Sequence, residues 1–283
     1  MSGKIFSITV VQNQEDIVGD VIVYHQKLFD DLYIWDIGST DNTISILENL
    51  VEKYSNVHLW SKEKASFSDD LRGYIYNDVR NKYDEDDWCY QLDSDEFLKS
   101  DLKKLISVEN KKNTGYIKTW HVNFQYTFDD RDNNVNSYRD LKYYLPNYSE
   151  VRVFRNKKNL VWKLNDYSML PLGNILPSNF ENSAKKRIIV YHYPFRSLNQ
   201  LKKRIDEKLK IIKSDKYVEL SDIDYRKYKV QSIETLMKKK EECEVYNGNP
   251  IKLNPIQKFK IIKKTFIVPL SKHLLKKYLK LNL

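Results

Sequence analysis

Between Trp88 and Phe97 the chain reads Trp-Cys-Tyr-Gln-Leu-Asp-Ser-Asp-Glu-Phe. The alternation of Trp88, Tyr90 and Leu92 with smaller or polar residues predicts a strand. It delivers three carboxylates, Asp93, Asp95 and Glu96, at the strand's end. In an extended chain Asp93 and Asp95 point to one side, and two anions so placed repel. A hard cation such as Mg2+ or Mn2+ would relieve that, because it takes oxygen ligands and often joins one or two carboxylates to substrate phosphates. The alternative for the same residues is an acidic turn capping a helix after Phe97.

The elements that must hold this stretch follow from apolar spacing. Lys4 to Val11 predicts a buried strand ending in Gln12-Asn13-Gln14-Glu15-Asp16. A helix follows, with Ile17, Val18, Val21, Ile22 and Leu28 at helical spacing. Leu32 to Asp36 predicts a second strand, broken at Ile37-Gly38-Ser39-Thr40-Asp41, and a helix from Thr43 that Asp41 is placed to cap. Val57 to Trp60 predicts a third strand and Asp70 to Lys82 a helix. Strands alternating with helices imply a mostly parallel sheet with helices on both faces, whose ligands sit beyond the carboxyl ends of the strands. Gln12 to Glu15, Asp36 to Asp41 and Asp93 to Glu96 would then share one edge. No glycine-rich phosphate cradle of the dinucleotide or P-loop kind occurs.

After Glu96 the expectations are a strand over Gly115 to Phe124, an exposed loop over Phe128 to Leu145, and short strands over Glu150 to Phe154 and Leu160 to Leu164. A strand over Arg187 to Tyr193 and helices over Leu198 to Lys213 and Asp222 to Cys243 complete the series.

The 283 residues and 41% hydrophobic content suffice for one large α/β domain with an extension. Cys89 and Cys243 show no metal or disulfide spacing and fit a reducing compartment. The start lacks a signal-peptide pattern and no apolar run reaches membrane-spanning length, so a cytoplasmic protein is expected. The net charge of +9 is concentrated between Ile251 and Leu283, where nine lysines stand without an acidic residue. That suggests an anionic partner: nucleic acid, phospholipid or nucleotide.

Asp36-Ile37-Gly38-Ser39-Thr40-Asp41-Asn42-Thr43 resembles the Asp-x-Gly-Ser-x-Asp-x-Thr segment of glycosyltransferase family 2, and Asp93-Ser94-Asp95-Glu96-Phe97 its Asp-x-Asp motif. Val153-Phe154-Arg155-Asn156 and His192-Tyr193-Pro194-Phe195-Arg196-Ser197 are similar to segments of one subgroup. The resemblance covers residues 4 to 214 in linear order. It implies a GT-A (Rossmann-like) fold: a mixed, mostly parallel sheet flanked by helices. The nucleotide-sugar half would span residues 1–100 and the acceptor half 101–214, with a lysine-rich helical extension over 215–283.

The resemblance also implies an activity. A hexosyltransferase-type enzyme would move a sugar from a nucleoside diphosphate sugar, UDP-sugar favoured, to a hydroxyl of a glycan or lipid-linked acceptor. Inversion is favoured, and the setting would be surface polysaccharide or glycoconjugate synthesis. The implied cofactor is a divalent ion, Mn2+ or Mg2+, held by Asp95 with Asp93 and completed by His192, for which the plain alternative is a structural histidine. Gln12, Asn13, Glu15, Asp36, Ser39, Asp41 and Ser94 would line the donor pocket, with Asp36 accepting from the base. Arg72 and Arg196 would meet the diphosphate; the alternative for Arg72 is a solvated helix charge opposite Asp69 or Asp70. The Glu-Asp pair that supplies the base in many members is not evident. Asp166 is the first candidate for that role and Glu150 the second.

The basic tail breaks around Pro269 into two amphipathic pieces. They could rest on an anionic membrane or pack on the domain. Two other readings compete with sugar transfer. One is an inactive nucleotide- or sugar-binding module. The other is a basic nucleic-acid-binding protein, disfavoured because ordered carboxylates repel phosphate.

Overall fold

The computed structural model describes residues 3–65, 71–157, 161–162, 182–213 and 232–264. Of the expected strand over 160–164 only Val161 and Trp162 are described, and they are not in a strand; the candidate base Asp166, the 214/215 domain boundary, the first part of the 222–243 helix and the tail beyond 264 lie outside the described residues. Two compact units are distinguished. The first comprises Met1–His121, Pro146–Tyr191 and Leu253–Leu283; the second comprises Val122–Leu145 and His192–Lys252.

The first unit opens with β1 (Ile5–Val11), α1 (Val18–His25), β2 (Asp31–Asp36), α2 (Thr43–Lys53), β3 (Val57–Ser61), α3 (Leu71–Val79) and β4 (Trp88–Gln91). The four strands are parallel in the order β3-β2-β1-β4. Every residue of β1 is buried, as expected of a central parallel strand covered on both faces. One of its faces, with Phe6, Ile8 and Val10, packs on Leu71, Ile75, Tyr76 and Val79 of α3, joined by Tyr33, Trp35 and Phe154. The mixed α/β architecture expected from the sequence is the one found.

The parallel strands give way to antiparallel ones at β4, which pairs with β8 (Val151–Arg155); β8 pairs in turn with the first residues of β6 (Tyr116–Gln125). Between them come β5 (Glu96–Leu98) and α4 (Leu102–Glu109), the latter capped by Asp101, whose side chain accepts from the Lys104 N–H at 3.0 Å. The carboxylates after Leu92 therefore do not cap a helix; they lead into a short strand. Strand β5 pairs with β9 (Ile188–His192).

In the second unit the segment 128–145, expected as a loop, is ordered: α5 (Phe128–Asp132), a 3-10 turn at Tyr138–Asp140, and β7 (Tyr143–Pro146). The cause is local. Thr127 and Asp130 form a reciprocal capping box, with the Thr127 N–H donating to Asp130 Oδ2 at 2.8 Å, which supplies the first turn's missing partners. Helix α6 (Leu198–Lys213) matches its expected span. The expected helix ending at Cys243 does not, because its described part holds a short α7 (Ile233–Leu236) and a 3-10 turn at Lys240–Glu242 before β10 (Glu244–Val245) pairs with β7. In the first unit, α8 (Pro255–Ile262) starts at a capping box of Asn254 and Gln257, with proline at its first position. Among the described residues no helix is long and apolar enough to cross a membrane.

Candidate functional site

The parallel registers carry the ends of β2, β1 and β4 to one edge: Val11 stands opposite Asp36, and Ile8 opposite Gln91. The loops that follow β1 and β2 are stitched together by side chains. Asn13, in the left-handed region at φ 54°, donates its N–H to Ser39 Oγ at 2.9 Å and accepts the Thr40 N–H on Oδ1 at 2.8 Å. Glu15 Oε2 accepts from the Asn42 backbone at 3.1 Å and side chain at 2.9 Å. Asp41 Oδ1 takes the Thr43 N–H and hydroxyl at 3.0 and 2.6 Å, so it supports the start of α2 from one residue before the N-cap, which is Asn42. Gln12 is half-buried and its carbonyl accepts from the Gln14 amide at 3.3 Å.

Asp36 is fully buried at the tip of β2. Its Oδ1 accepts two N–H groups, from Gly38 at 2.9 Å and Ser39 at 2.8 Å. This turn needs the positive φ of 99° at Gly38, which glycine adopts without steric cost. The other oxygen, Oδ2, is buried with no hydrogen-bond partner. A buried carboxylate oxygen left in that state is costly unless something completes it.

The chain is not extended at Asp93. The Glu96 N–H donates to the Asp93 carbonyl at 3.2 Å, closing a turn, so the same-side geometry expected for Asp93 and Asp95 does not arise. Ser94 is buried and Asp95 half-buried in that turn. Arg72, near the start of α3, donates to Asp93 Oδ1, and Arg152 of β8 donates to Asp93 Oδ2. Arg72 is thus a buried, ion-paired residue rather than a solvated helix charge.

Arg152 is the centre of a larger cluster. Its Nη2 lies 2.8 Å from Glu96 Oε1 and 2.6 Å from Glu150 Oε1. The contact to Glu150 is an ion pair by distance but is not aligned as a hydrogen bond. His121 Nε2 lies 3.1 Å from the same Glu96 oxygen and 3.5 Å from the same Glu150 oxygen. Its Nδ1 is 2.9 Å from the Thr119 hydroxyl. The Tyr148 ring stacks on the imidazole, with centroids 4.2 Å apart. Burial pulls the Arg152 guanidinium toward neutrality, yet Asp93, Glu150 and Glu96 outweigh it and raise the guanidinium well above its ordinary value. The Tyr90 and Tyr148 hydroxyls are pushed up by burial first and by the Glu96 and Glu150 charges second.

Glu96, His121 and Glu150 form the group whose spacing could hold a metal ion, their ligand atoms lying within 4.8 Å of one another. Two carboxylates and an imidazole suit Mn2+ or Zn2+. The fit fails on occupancy, since the two carboxylate oxygens already converge on the Arg152 guanidinium. A divalent ion among them would face that charge at contact distance. Asp93 is committed in the same way, with both oxygens paired to arginine. The repulsion for which a cation was expected is relieved by the chain's own guanidinium groups.

Of the residues expected in the site, Gln12, Asn13, Glu15, Asp36, Ser39 and Asp41 meet at the β1–β2 edge, and Arg72, Asp93 and Glu150 meet in the arginine cluster. His192 and Arg196 belong to the second unit. There His192 Nδ1 lies 3.3 Å from Asn123 Oδ1, and buried Arg196 donates to the Tyr193 carbonyl at 2.9 Å. Arg152 and His121 were missed by sequence reasoning, and Glu96, noted there among the three carboxylates, was given no separate role. The signal was present in β6: its buried parity carries Thr119, His121, Asn123 and Gln125, and polar side chains on the buried face of a strand need partners.

No family model matches the sequence, and no curated protein does. Among solved structures the chain resembles S. aureus TarS over 75% of its length and 40% of that chain, at 16% identity and a TM-score of 0.37. It resembles TarS 1-349 in complex with UDP over 75% of its length and 66% of that chain, at 15% identity and a TM-score of 0.40. The mannosyltransferase PcManGT from Pyrobaculum calidifontis, in complex with GDP-Man and Mn2+, is matched over 75% of this chain and 63% of that one, at 12% identity and a TM-score of 0.41. The chain therefore spans between 40% and 66% of the length of these structures. Likeness of this degree assigns no function.

Proposed function

We propose that the chain is a glycosyltransferase that takes a nucleoside diphosphate sugar, a UDP-sugar in the first instance, and transfers a hexosyl group to a hydroxyl of a glycan or lipid-linked acceptor. The observation that carries the reading is Asp36: a carboxylate fixed through Oδ1 by two backbone N–H groups, with Oδ2 buried and without a hydrogen-bond partner. It stands at the carboxyl end of a parallel strand, where α/β sheets bind their ligands. An N–H of the nucleobase would complete it. The diphosphate would then run toward the end of β4, where the Arg72 guanidinium stands beside Asp93.

In the transfer, the acceptor oxygen forms a bond to the anomeric carbon as the bond from that carbon to the diphosphate oxygen breaks. The nucleoside diphosphate leaves with the electron pair and a base takes the hydroxyl proton, the sugar being inverted. Glu150 is tied to Arg152 and stands beside His121, so its Oε1 already faces partners within the chain. This proposal accordingly gives the role to Asp166. The divalent ion implied by the resemblance is not needed to neutralise Asp93; Asp95 is the remaining carboxylate of the motif. The lysine-rich stretch 251–283 is proposed to bring the chain to an anionic membrane carrying the acceptor.

Incubation with a panel of nucleotide sugars, with and without Mn2+, tests the reading by the nucleotide released. Release from at least one donor, lost in Asp166→Asn, is the expected result. Binding of a nucleoside diphosphate without turnover of any donor would instead favour the inactive-module reading. Neither binding nor turnover removes both.

A further inference from the structure

We propose that the Arg152 guanidinium is the built-in cation of the acidic centre. It holds Asp93, Glu96 and Glu150 in the places a divalent ion would otherwise hold them, so the Glu96–His121–Glu150 triad takes no metal while Arg152 is present. The inference stands whether or not the chain transfers sugar, and its test needs no donor.

Three features carry it. First, the ligand atoms converge on one point, and that point is taken: Arg152 Nη2 contacts Asp93 Oδ2, Glu96 Oε1 and Glu150 Oε1, while His121 Nε2 reaches the same two glutamate oxygens. An arginine side chain at such a point delivers a permanent charge that neither dissociates nor is removed by a chelator. Second, the Glu96–His121 side of the cluster is closed to water, while Asp93 and Glu150 are partly exposed. Glu96 and His121 are fully buried, and the Tyr90 hydroxyl, also fully buried, has no hydrogen-bond partner. Like charges brought together in such a medium repel strongly, so Arg152 and a divalent ion cannot share the site. Third, the guanidinium is anchored from outside the cluster. Its strand β8 is paired on both sides, to β4 and β6, and Cys89, Tyr90 and Ile117 stand in register with Val153 and Phe154. Withdrawing the guanidinium to admit an ion would break its contacts to Asp93, Glu96 and Glu150 together. Arg152 is thus a positioning residue: it sets the turn from Asp93 to Glu96.

Titration calorimetry of the full chain with Mn2+ and Zn2+, in parallel with Glu150→Gln, reads this directly. The expected result is no ion binding in the wild type that Glu150→Gln abolishes, and a melting midpoint unmoved by either ion or by EDTA. Arg152→Met removes the charge while keeping the bulk. It is expected to gain one ion per chain, bound at least about tenfold more tightly than by the wild type, with a midpoint that rises on adding the ion. Glu150→Gln in that background should abolish the gain. Arg152→Lys, which retains a charge, should gain nothing. A wild-type ion site that disappears in Glu150→Gln overturns the proposal, as does a folded Arg152→Met that binds no more ion than the wild type. If Arg152→Met does not fold, the comparison of wild type with Glu150→Gln decides alone.

Discussion

Nε2 of His25 accepts the backbone N–H of Leu98 at 3.2 Å, while Nδ1 of the same ring lies 2.8 Å from the Val21 carbonyl oxygen. An amide N–H can only donate and a carbonyl can only accept, so the ring must be neutral with its proton on Nδ1. The contact fixes β5, and with it the far side of the acidic turn, to α1. Phe29 and Phe97 flank the imidazole at centroid distances of 5.3 and 6.2 Å.

That geometry makes stability depend on pH. Burial, aided by the Lys99 charge, lowers the His25 pKa from 6.5 to about 3. As pH falls below 6.5 the unfolded chain binds a proton that the native chain refuses. The stabilisation is complete above that value and is lost on acidification, at roughly 1.4 kcal/mol per pH unit until the native ring titrates. Urea unfolding between pH 7 and pH 4 should therefore be less steeply pH-dependent in His25→Gln than in the wild type, by one proton. Parallel profiles for the two proteins would refute it.

Asn156 is a second buried anchor. Its Nδ2 donates toward the carbonyls of Arg80, Tyr83 and Asp84 at 3.1, 3.1 and 3.2 Å, and its Oδ1 accepts the Tyr76 hydroxyl at 3.0 Å. Asn156→Ala strands these partners and opens a small cavity, a loss of about 2–4 kcal/mol in unfolding free energy. Asn156→Asp should cost at least as much, because it turns an anion toward three carbonyl oxygens. A change below about 1 kcal/mol in either variant would show that the neighbouring backbone finds other partners.

These two residues show how much was legible beforehand. The strands and helices up to β4 follow from apolar spacing, and the structure keeps the strands within a residue and the helices within about three, because local pattern and buried face agree there. The Val-Phe-Arg-Asn segment stood out by resemblance, but its physical work did not. Asn156 closes the turn before β4, and Arg155 lies over the Trp88 ring while pairing with Asp86 at 3.0 Å. Both depend on partners roughly seventy residues away, which no local window contains. The same holds for Arg152, which is two residues from Glu150 in sequence yet gathers Asp93 and Glu96 from beyond the end of β4. The expectation of a metal at the acidic turn took account of the anions and left out the cation that a distant strand supplies. The segment 128–145 departs from its expected loop for a local reason: Thr127 and Asp130 stand at capping-box spacing, and that pair starts a helix despite the polar composition that follows.

Gly38 tests how tightly the turn after β2 is set. A Cβ there would lie 2.9 Å from Lys64 Cγ, but that side chain can swing aside; the φ of 99° cannot be relieved so simply. Gly38→Ala is expected to cost about 1–2 kcal/mol, the penalty for a left-handed L-residue, and Gly38→Asn less, since asparagine tolerates that region better. Thermal melts of the two variants give the order. An alanine variant as stable as the wild type would mean that the turn can rearrange.

Asp36 separates the turn from the ligand. Asparagine can keep one oxygen toward the N–H groups of Gly38 and Ser39, so Asp36→Asn should melt close to the wild type; alanine loses both bonds and should not. At the second position the exchange is unforgiving, because Oδ2 becomes an amide that donates where the proposed nucleobase N–H also donates. A hydrogen bond to a charged group contributes about 1.5–3 kcal/mol, so Asp36→Asn should weaken nucleoside diphosphate binding by roughly ten- to a hundredfold with the fold intact. Calorimetry with UDP and GDP on the two proteins measures it. Equal affinities would place the base elsewhere and leave the unpartnered oxygen without a ligand to explain it.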